Sequence, residues 1–364
     1  MGAVVGAVRY CSVEDVLTST DTQYTARVAA QILRDIESHT AAVEGLLHRK
    51  FWPMQDTRYW NWPYLQYAWP ETLHLEQDEC ISLSSLSAGG TAIPSSNYQL
   101  EPRNSGPPFT SIELDLSKNS SFGGSAGTWQ WNIQGVGVFG ATNATTAAGT
   151  LAAAITDTTG TTVTVSDGSL VGTGLALVVD SEYMVSEGRS MVDTTATLSA
   201  GIAALASVVS VPVSSGALVH VGEVILVDAE RMLVTDVAGN NAIVKRAWDG
   251  TVLASHLTGA KVYAPRALTV TRGCWGTTAA THTLGTAVSQ HLVPALVRDL
   301  TIAEVMIHEQ WMSAGGTDIM QRGGVGGRSS SGKGMAVPMG AAGLESLRKD
   351  AWARYGRKAR TRSI

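Results

Sequence analysis

Two histidines of this chain recur in the same local pattern, and histidine can bind a metal or transfer a proton near neutral pH. His256 and His282 each lie between a Gly-Thr pair and a glycine. The sequence has no His-x-x-x-His pair and no His-Glu-x-x-His motif, the spacings that bring two imidazoles to one metal from a helix. We therefore expect each histidine to form a hydrogen bond that fixes a loop between two strands. The repeated positions, which we interpret as structural, are Arg246, Gly250, Thr251, His256 and Gly259, then Arg272, Gly276, Thr277, His282 and Gly285.

Two pairs of carboxylates also recur, with a larger spacing than the histidines. Asp180 and Glu182 are repeated as Asp228 and Glu230. Alternate positions of a strand share one face, so such a pair could do acid–base chemistry or bind calcium. One pair per repeat, followed by a methionine, is better explained by a hairpin with aspartate at the turn and glutamate on the return strand. Nothing else supplies an acid, a base or a metal, so we predict no enzyme activity and no cofactor.

A glycine-rich stretch near the C-terminus has some features of a phosphate-binding loop. Residues 323–327 read Gly-Gly-Val-Gly-Gly, and Lys333 follows. The spacing differs from Gly-x-x-x-x-Gly-Lys-Ser/Thr, and no apolar strand precedes it. A flexible loop over residues 313–340 is therefore the prediction.

Composition narrows the class of protein. The chain has 364 residues, enough for two or three domains, but only 16% of them are charged, against about a quarter in ordinary soluble domains. Such a chain suits β-structure with long loops, or surfaces that are covered in an assembly. Three widely spaced cysteines favour synthesis in a reducing compartment over a disulfide framework. No apolar run is long enough to predict a membrane span, and we expect no signal peptide.

Charge is concentrated at the C-terminus. Residues 345–364 carry a net charge of +5, which leaves −10 for the rest of a chain whose total is −5. A basic arm of this kind suits a phosphate-bearing or acidic partner, or it is a solvated helix end. The candidate partner-binding residues are Arg348, Lys349, Trp352, Arg354, Tyr355, Arg357, Lys358, Arg360 and Arg362.

The helices and strands that would position these residues are those of an α+β protein. A helical stripe with a period of 3.6 runs from about residue 25 to 49, and strands with a period of 2 follow it. Eight aromatics between residues 51 and 69 favour a core, with a contact surface or carbohydrate platform as the alternative. The helices at the two ends should form a bundle, with the β-material inserted. The predicted divisions are an N-terminal helical segment (1–71), a β-domain (72–140), a linker (141–160), a β-repeat domain (161–292), a helix (293–312), the loop (313–340) and a basic helix or tail (341–364). A helix around residues 147–155 is the alternative to the linker.

Several motifs together resemble a known family. A helix runs into Leu-Leu-His-Arg-Lys-Phe-Trp-Pro at residues 46–53, and Ile-Pro-Ser-Ser-Asn-Tyr follows at 93–98. These segments, and the recurring Gly-Thr-x-x-x-x-His-x-x-Gly module, are similar to segments of the head-to-tail connector, or adaptor, proteins of long-tailed bacteriophages. The resemblance covers residues 13–140 and the repeats, and the long repeat insertion departs from the compact family members.

The resemblance implies a structural role in the virion neck, with synthesis in the host cytoplasm. It implies a homo-oligomeric ring, usually of twelve copies, that docks beneath the portal protein and meets the next neck or tail-terminator protein. Genomic DNA would pass through the lumen without sequence-specific contacts, and no membrane would be involved. The C-terminal segment would engage the portal. The alternative is a minor tail or baseplate protein whose β-modules bind a glycan on the host surface.

Overall fold

A computed structural model describes residues 5–20, 26–62, 71–75, 78–123, 130–313 and 341–357. They form an α+β fold in which the strands pair antiparallel, as the sequence predicts. The chain divides into two compact units. The first unit comprises residues 1–40, 145–291 and 301–341, and the second comprises residues 41–144, 292–300 and 342–364.

Helices from distant regions of the chain share one core in the first unit. They are α1 (Val13–Thr20), the beginning of α2 (Ala26–Leu47) and the later turns of α3 (Ala295–Ser313). Ser12 and Asp15 begin α1 as a capping box, because each side chain accepts a hydrogen bond from the other's amide, at 3.0 and 2.9 Å. The apolar stripe of α2 packs with α1 and α3. This core consists of Cys11, Val13, Val16, Leu17, Ala29, Ile32, Ile36 and Val305.

The rest of the first unit is a ten-stranded sheet that contains the repeats. Its strands are β8 (Thr145–Thr150), β9 (Thr162–Thr164), β10 (Ala176–Val179), β11 (Glu182–Thr197), β12 (Ser210–Pro212), β13 (Val224–Val227), β14 (Glu230–Ala238), β15 (Asn241–Lys245), β16 (Lys261–Thr271) and β17 (Ala287–His291). Nine of them follow the order β12-β15-β14-β13-β16-β11-β10-β17-β8, and β9 pairs with β16.

The second unit holds two smaller sheets and the C-terminal helix α4 (Ala341–Tyr355). The strands are β1 (Met54–Trp60), β2 (Thr72–His74), β3 (Cys80–Ala88), β4 (Thr91–Ile93), β5 (Tyr98–Glu101), β6 (Ser111–Leu114) and β7 (Ile133–Phe139). One sheet has the order β1-β7-β3-β4 and the other the order β2-β6-β5. Their core includes Trp60, which places part of the aromatic-rich segment in the interior, as expected, while Tyr59 is exposed.

One predicted segment is wrong. Residues 141–160 are not a linker, because β8 lies within them and pairs with β17. Leu151 and Ile155 form further bridges and are buried in the core of the sheet. The stretch was misread because its small Ala, Thr and Gly residues give little hydrophobic signal. The loop predicted over residues 313–340 lies almost wholly outside the described residues.

Candidate functional site

The two repeat spacings arise from one module inserted into another of the same kind. The inner module, which we define as residues 195–265, is continuous in sequence. The outer module, residues 145–194 and 266–291, is interrupted by it. The first half of the outer module therefore precedes its inner counterpart by the larger spacing, that from Asp180 to Asp228. The second half follows its counterpart by the smaller spacing, that from His256 to His282.

The strand pairing shows that the two modules are equivalent. Val234 pairs with Val244 in the inner module, and the corresponding Ser186 pairs with Val270 in the outer one. Each ladder has a register shift directly after this pair. Each module also has a separate hydrophobic core. The long strands β11 and β16 pair with each other and run from one module into the other.

A buried ionic network occupies the centre of the inner module. Arg246 donates two hydrogen bonds of 2.7 Å to the two carboxylate oxygens of Glu230, whose side chain is fully buried. The ring nitrogens of His256 lie 2.7 Å from Asp228 Oδ2 and 2.9 Å from Glu230 Oε2. The amides of Ala247 and Ala254 also donate to Glu230, each at 3.0 Å. These bonds tie two hairpin strands to the loop that follows β15.

The outer module contains the same network with the same distances. Arg272 donates two bonds of 2.7 Å to Glu182, and the ring nitrogens of His282 lie 2.7 Å from Asp180 and 2.9 Å from Glu182. Glu182 and Arg272 are 90 residues apart, whereas their inner counterparts are 16 apart. The expectation that each histidine fixes a loop by hydrogen bonding thus agrees with the geometry, although the arginine and the carboxylates complete the network.

The network holds both glutamates as anions. Burial alone would raise their pKa values. Hydrogen bonds from Arg272, His282 and two backbone amides instead lower the pKa of Glu182 to about 2. Arg246, Ala254, His256 and Ala247 lower the pKa of Glu230 to about 2 in the same way.

The repeated glycines and aspartates meet backbone requirements. Gly250 and Gly276 have φ angles of 72° and 85°, in the left-handed region where a β-carbon is strained. Asp180 and Asp228 also lie there, at 52° and 50°, at the hairpin turns. Aspartate tolerates this conformation better than most residues. The recurrence of these residues therefore reflects the fold.

A third ion pair joins the two modules, and sequence reasoning missed it. Arg266 donates bonds of 2.7 and 2.8 Å to the buried Glu223, which also accepts the amide of Gly168 in the outer module, at 2.8 Å. One repeat spacing away from Glu223 and Arg266, the chain has the leucines Leu175 and Leu292. The pair was overlooked because it breaks the repeat.

The inner module also borders a cavity of about 570 Å³. Leu17 of α1 and Gly222, Leu233, Lys245 and Trp248 of the inner module line it. Of these residues, the sequence singles out Gly222 alone, as the repeat of Gly174. Comparison of the repeats could have found them, because Lys245 and Trp248 replace a threonine and a cysteine of the outer copy.

The basic C-terminal helix packs within the second unit. The rings of Trp352 and Tyr355 make edge contacts with His48 and Phe51. Arg357 Nη1 lies 3.5 Å from Glu79 Oε1. Three of the predicted partner-binding residues are thus engaged inside the chain, although Trp352 remains 37% exposed.

The remaining basic residues of α4 face outward to different degrees. Lys349 and Arg354 are exposed and Arg348 is half-buried. Lys349 Nζ lies 3.8 Å from Glu345 on the same helix. Lys358, Arg360 and Arg362 lie outside the described residues. Within those residues, the exposed portion of the candidate partner surface therefore consists of Lys349, Arg354 and one side of Trp352.

The described residues contain neither a metal-binding cluster nor a membrane-spanning helix. No group of three or more His, Cys, Asp or Glu residues there is arranged to hold a metal ion. No helix there is long and apolar enough to cross a membrane. No family model matches the chain, and no curated protein or solved structure matches it either.

Proposed function

We propose that this chain is a head-to-tail adaptor subunit of a long-tailed bacteriophage, a structural protein of the virion neck. In this proposal, copies form a ring beneath the portal protein, join it to the next neck or tail-terminator protein and surround the passing DNA. The supporting observation is the shared core of α1, α2 and α3. Ile36 and Val305 lie in that core although the whole β-material separates them in sequence. Helices from both ends of the chain would form the adaptor bundle, with the β-modules inserted.

The chemistry of the repeats supports a structural role over an enzymatic one. Both ring nitrogens of His256 and His282 are committed to carboxylates of their own module. A general base needs a free lone pair within reach of a substrate proton. The same atoms hold the hairpin and the loop together, and this supports a structural role for both histidines.

The charge distribution supports contact with the portal or with DNA. Lys349 and Arg354 are exposed on a helix near the end of a chain whose other residues are acidic overall. Lysine and arginine contacts to phosphates are independent of sequence and weaken as salt increases. A channel that passes any genome needs contacts of this kind, which do not depend on the DNA sequence.

Imaging of particles made without the gene tests the proposal. We expect filled heads that lack tails, with assembly restored by the gene supplied in trans. Tailed particles that fail to adsorb to cells would contradict the adaptor role and support the alternative, a minor tail or baseplate protein whose β-modules bind a host glycan. Complementation with an Arg246→Ala variant, which lacks the inner network, would show whether the intact module is needed in the same step.

A further inference from the structure

The N-terminal segment of the chain covers one face of the outer module. The amide of Trp275 donates a 3.1 Å hydrogen bond to the carbonyl of Val5, and the amide of Val13 donates one of 2.9 Å to Thr173. Gly6 lies so close to Cys274 that a β-carbon there would collide with its side chain. Thr173 and Trp275 are consequently only 1% and 2% exposed. Residues 5–13 therefore complete this face as an internal ligand.

The equivalent face of the inner module is open. Val221, the counterpart of Thr173, is 53% exposed. Leu233 and Trp248 are half-exposed, whereas their counterparts Val185 and Cys274 are fully buried. Leu233 and Trp248 line the cavity of about 570 Å³. Of the two modules, only the outer one therefore has this face covered by residues 5–13.

The open face differs from the covered one in charge. Arg231 and Lys245 stand where the outer module has Tyr183 and Thr271. The other charged residues that line the cavity are paired: Arg231 lies 3.2 Å from Asp249, and Arg189 lies 2.9 Å from Glu14. Within the described residues, no carboxylate forms an ion pair with Lys245, whose Nζ lies 5.9 Å from the centre of the Trp248 ring. An occupant of this cavity therefore gains from a negative charge beside Lys245.

We propose that the cavity of the inner module binds an extended, carboxylate-bearing peptide segment of a partner protein. Its small or apolar residues would lie along Gly222 and Leu233, and its carboxylate beside Lys245. One of its carbonyls would accept a hydrogen bond from the amide of Asp249, as Val5 does from Trp275. Main-chain hydrogen bonds supply affinity and side-chain pockets supply specificity in this mode of recognition. The inference goes beyond the adaptor role and does not depend on it.

A labelled peptide with the sequence of residues 5–15 and Cys11 replaced by serine is a suitable probe. It has the sequence that covers the outer face, and it carries two carboxylates, Glu14 and Asp15. We expect fluorescence anisotropy to show that the intact protein binds it. Lys245→Glu should weaken binding roughly five- to tenfold, because a like charge replaces an attraction. Lys245→Gln should weaken it less.

Lys261→Glu is the matched control, because Lys261 is an exposed lysine of the same module outside the cavity. It should bind the peptide as the natural protein does. Hydrogen exchange should slow over residues 245–250 on binding and stay unchanged over residues 271–276. Three outcomes would overturn the proposal: no binding to the natural protein, protection confined to residues 271–276, or displacement of the peptide by an N-acetylglucosamine tetramer. The last would mark the cavity as a glycan site.

Discussion

At the scale of single residues, the buried pair of Arg246 and Glu230 decides the stability of the inner module. Arg246→Ala would leave a fully buried carboxylate without its cation, which typically costs about 3–5 kcal/mol. We expect urea unfolding of this variant to show a loss of that order, and Arg272→Ala to do the same in the outer module. Lys261→Ala, which removes an exposed ion pair, should leave the unfolding midpoint unchanged. Equal stability of all three variants would refute the role of the networks.

The same glutamates predict loss of stability in acid. Their pKa values in the folded protein, about 2, lie below the usual 4.5. Their contribution is therefore complete above pH 4.5 and disappears as the pH falls through 2. A shift of this size corresponds to something on the order of 3 kcal/mol for each glutamate. Unfolding free energies measured from pH 6 to pH 2 should fall, and the slope should be shallower in Glu182→Gln. A flat profile for the natural protein would contradict the assignment.

The sequence predicts that His256 and His282 fix a loop by hydrogen bonding, because each histidine lies between a Gly-Thr pair and a glycine. It did not foresee which glutamate each one meets. The two recurring spacings show that each half of a module is repeated. They do not show which two halves form one module. The contact between Glu182 and Arg272 bridges 90 residues, and hydrophobic periodicity carries no information at that range.

At the scale of elements, the packing of α2 against α3 should become less stable as the pH rises. This is the opposite of the acid effect at Glu182 and Glu230. Burial and the neighbouring Asp35 raise the pKa of Glu309 to about 7, and Gln31 donates to it at 3.4 Å. His308 lies 3.9 Å from the same aspartate. Because the pKa of Glu309 is raised above 4.5, its contribution is complete below pH 4.5 and is lost as the pH rises through 7.

Glu309→Gln tests this pairing by removing the charge. We expect the variant to have a Tm that is higher by about 2–4 °C at pH 8 and unchanged at pH 5. Glu345→Gln, at an exposed glutamate of α4, serves as the control and should behave as the natural protein at both values. A lower Tm for Glu309→Gln at pH 8 would mean that the ionised carboxylate stabilises the helices.

The nested arrangement predicts that the inner module folds alone. Residues 195–265 contain a complete hydrophobic core and the whole network of Asp228, Glu230, Arg246 and His256. We expect this fragment to unfold cooperatively and to give dispersed amide resonances. A fragment of residues 145–194, which lacks Arg272 and His282, should stay unfolded. If the longer fragment is also unfolded, the module is not an independent unit.

At the scale of the whole molecule, the sequence predicted the α+β class better than it predicted the boundaries of the elements. Helix α2 begins next to the predicted start, because its apolar stripe is long and regular. Strand β8 was missed because Thr145–Thr150 lacks large apolar residues. The aromatic Trp352 and Tyr355 were expected at a partner surface, and both pack against residues of their own unit. Amino-acid composition alone does not distinguish a helix that packs within its own chain from a helix that binds a partner protein.

Those contacts determine how the proposed role of the C-terminal helix is best tested. Deletion of residues 345–364 would remove Ala351, which is buried, together with the pair of Arg357 and Glu79, so folding and assembly would fail together. Reversal of the exposed charges in Lys349→Glu/Arg354→Glu keeps that packing. We expect this double variant to have the natural Tm but to join portal rings at least several-fold less, as measured by co-sedimentation at low salt. Lys118→Glu, at an exposed lysine of the same unit, should join as before. If the double variant co-sediments with portal rings as the natural protein does, the basic helix is not part of the interface. Other surfaces would then hold the ring in place.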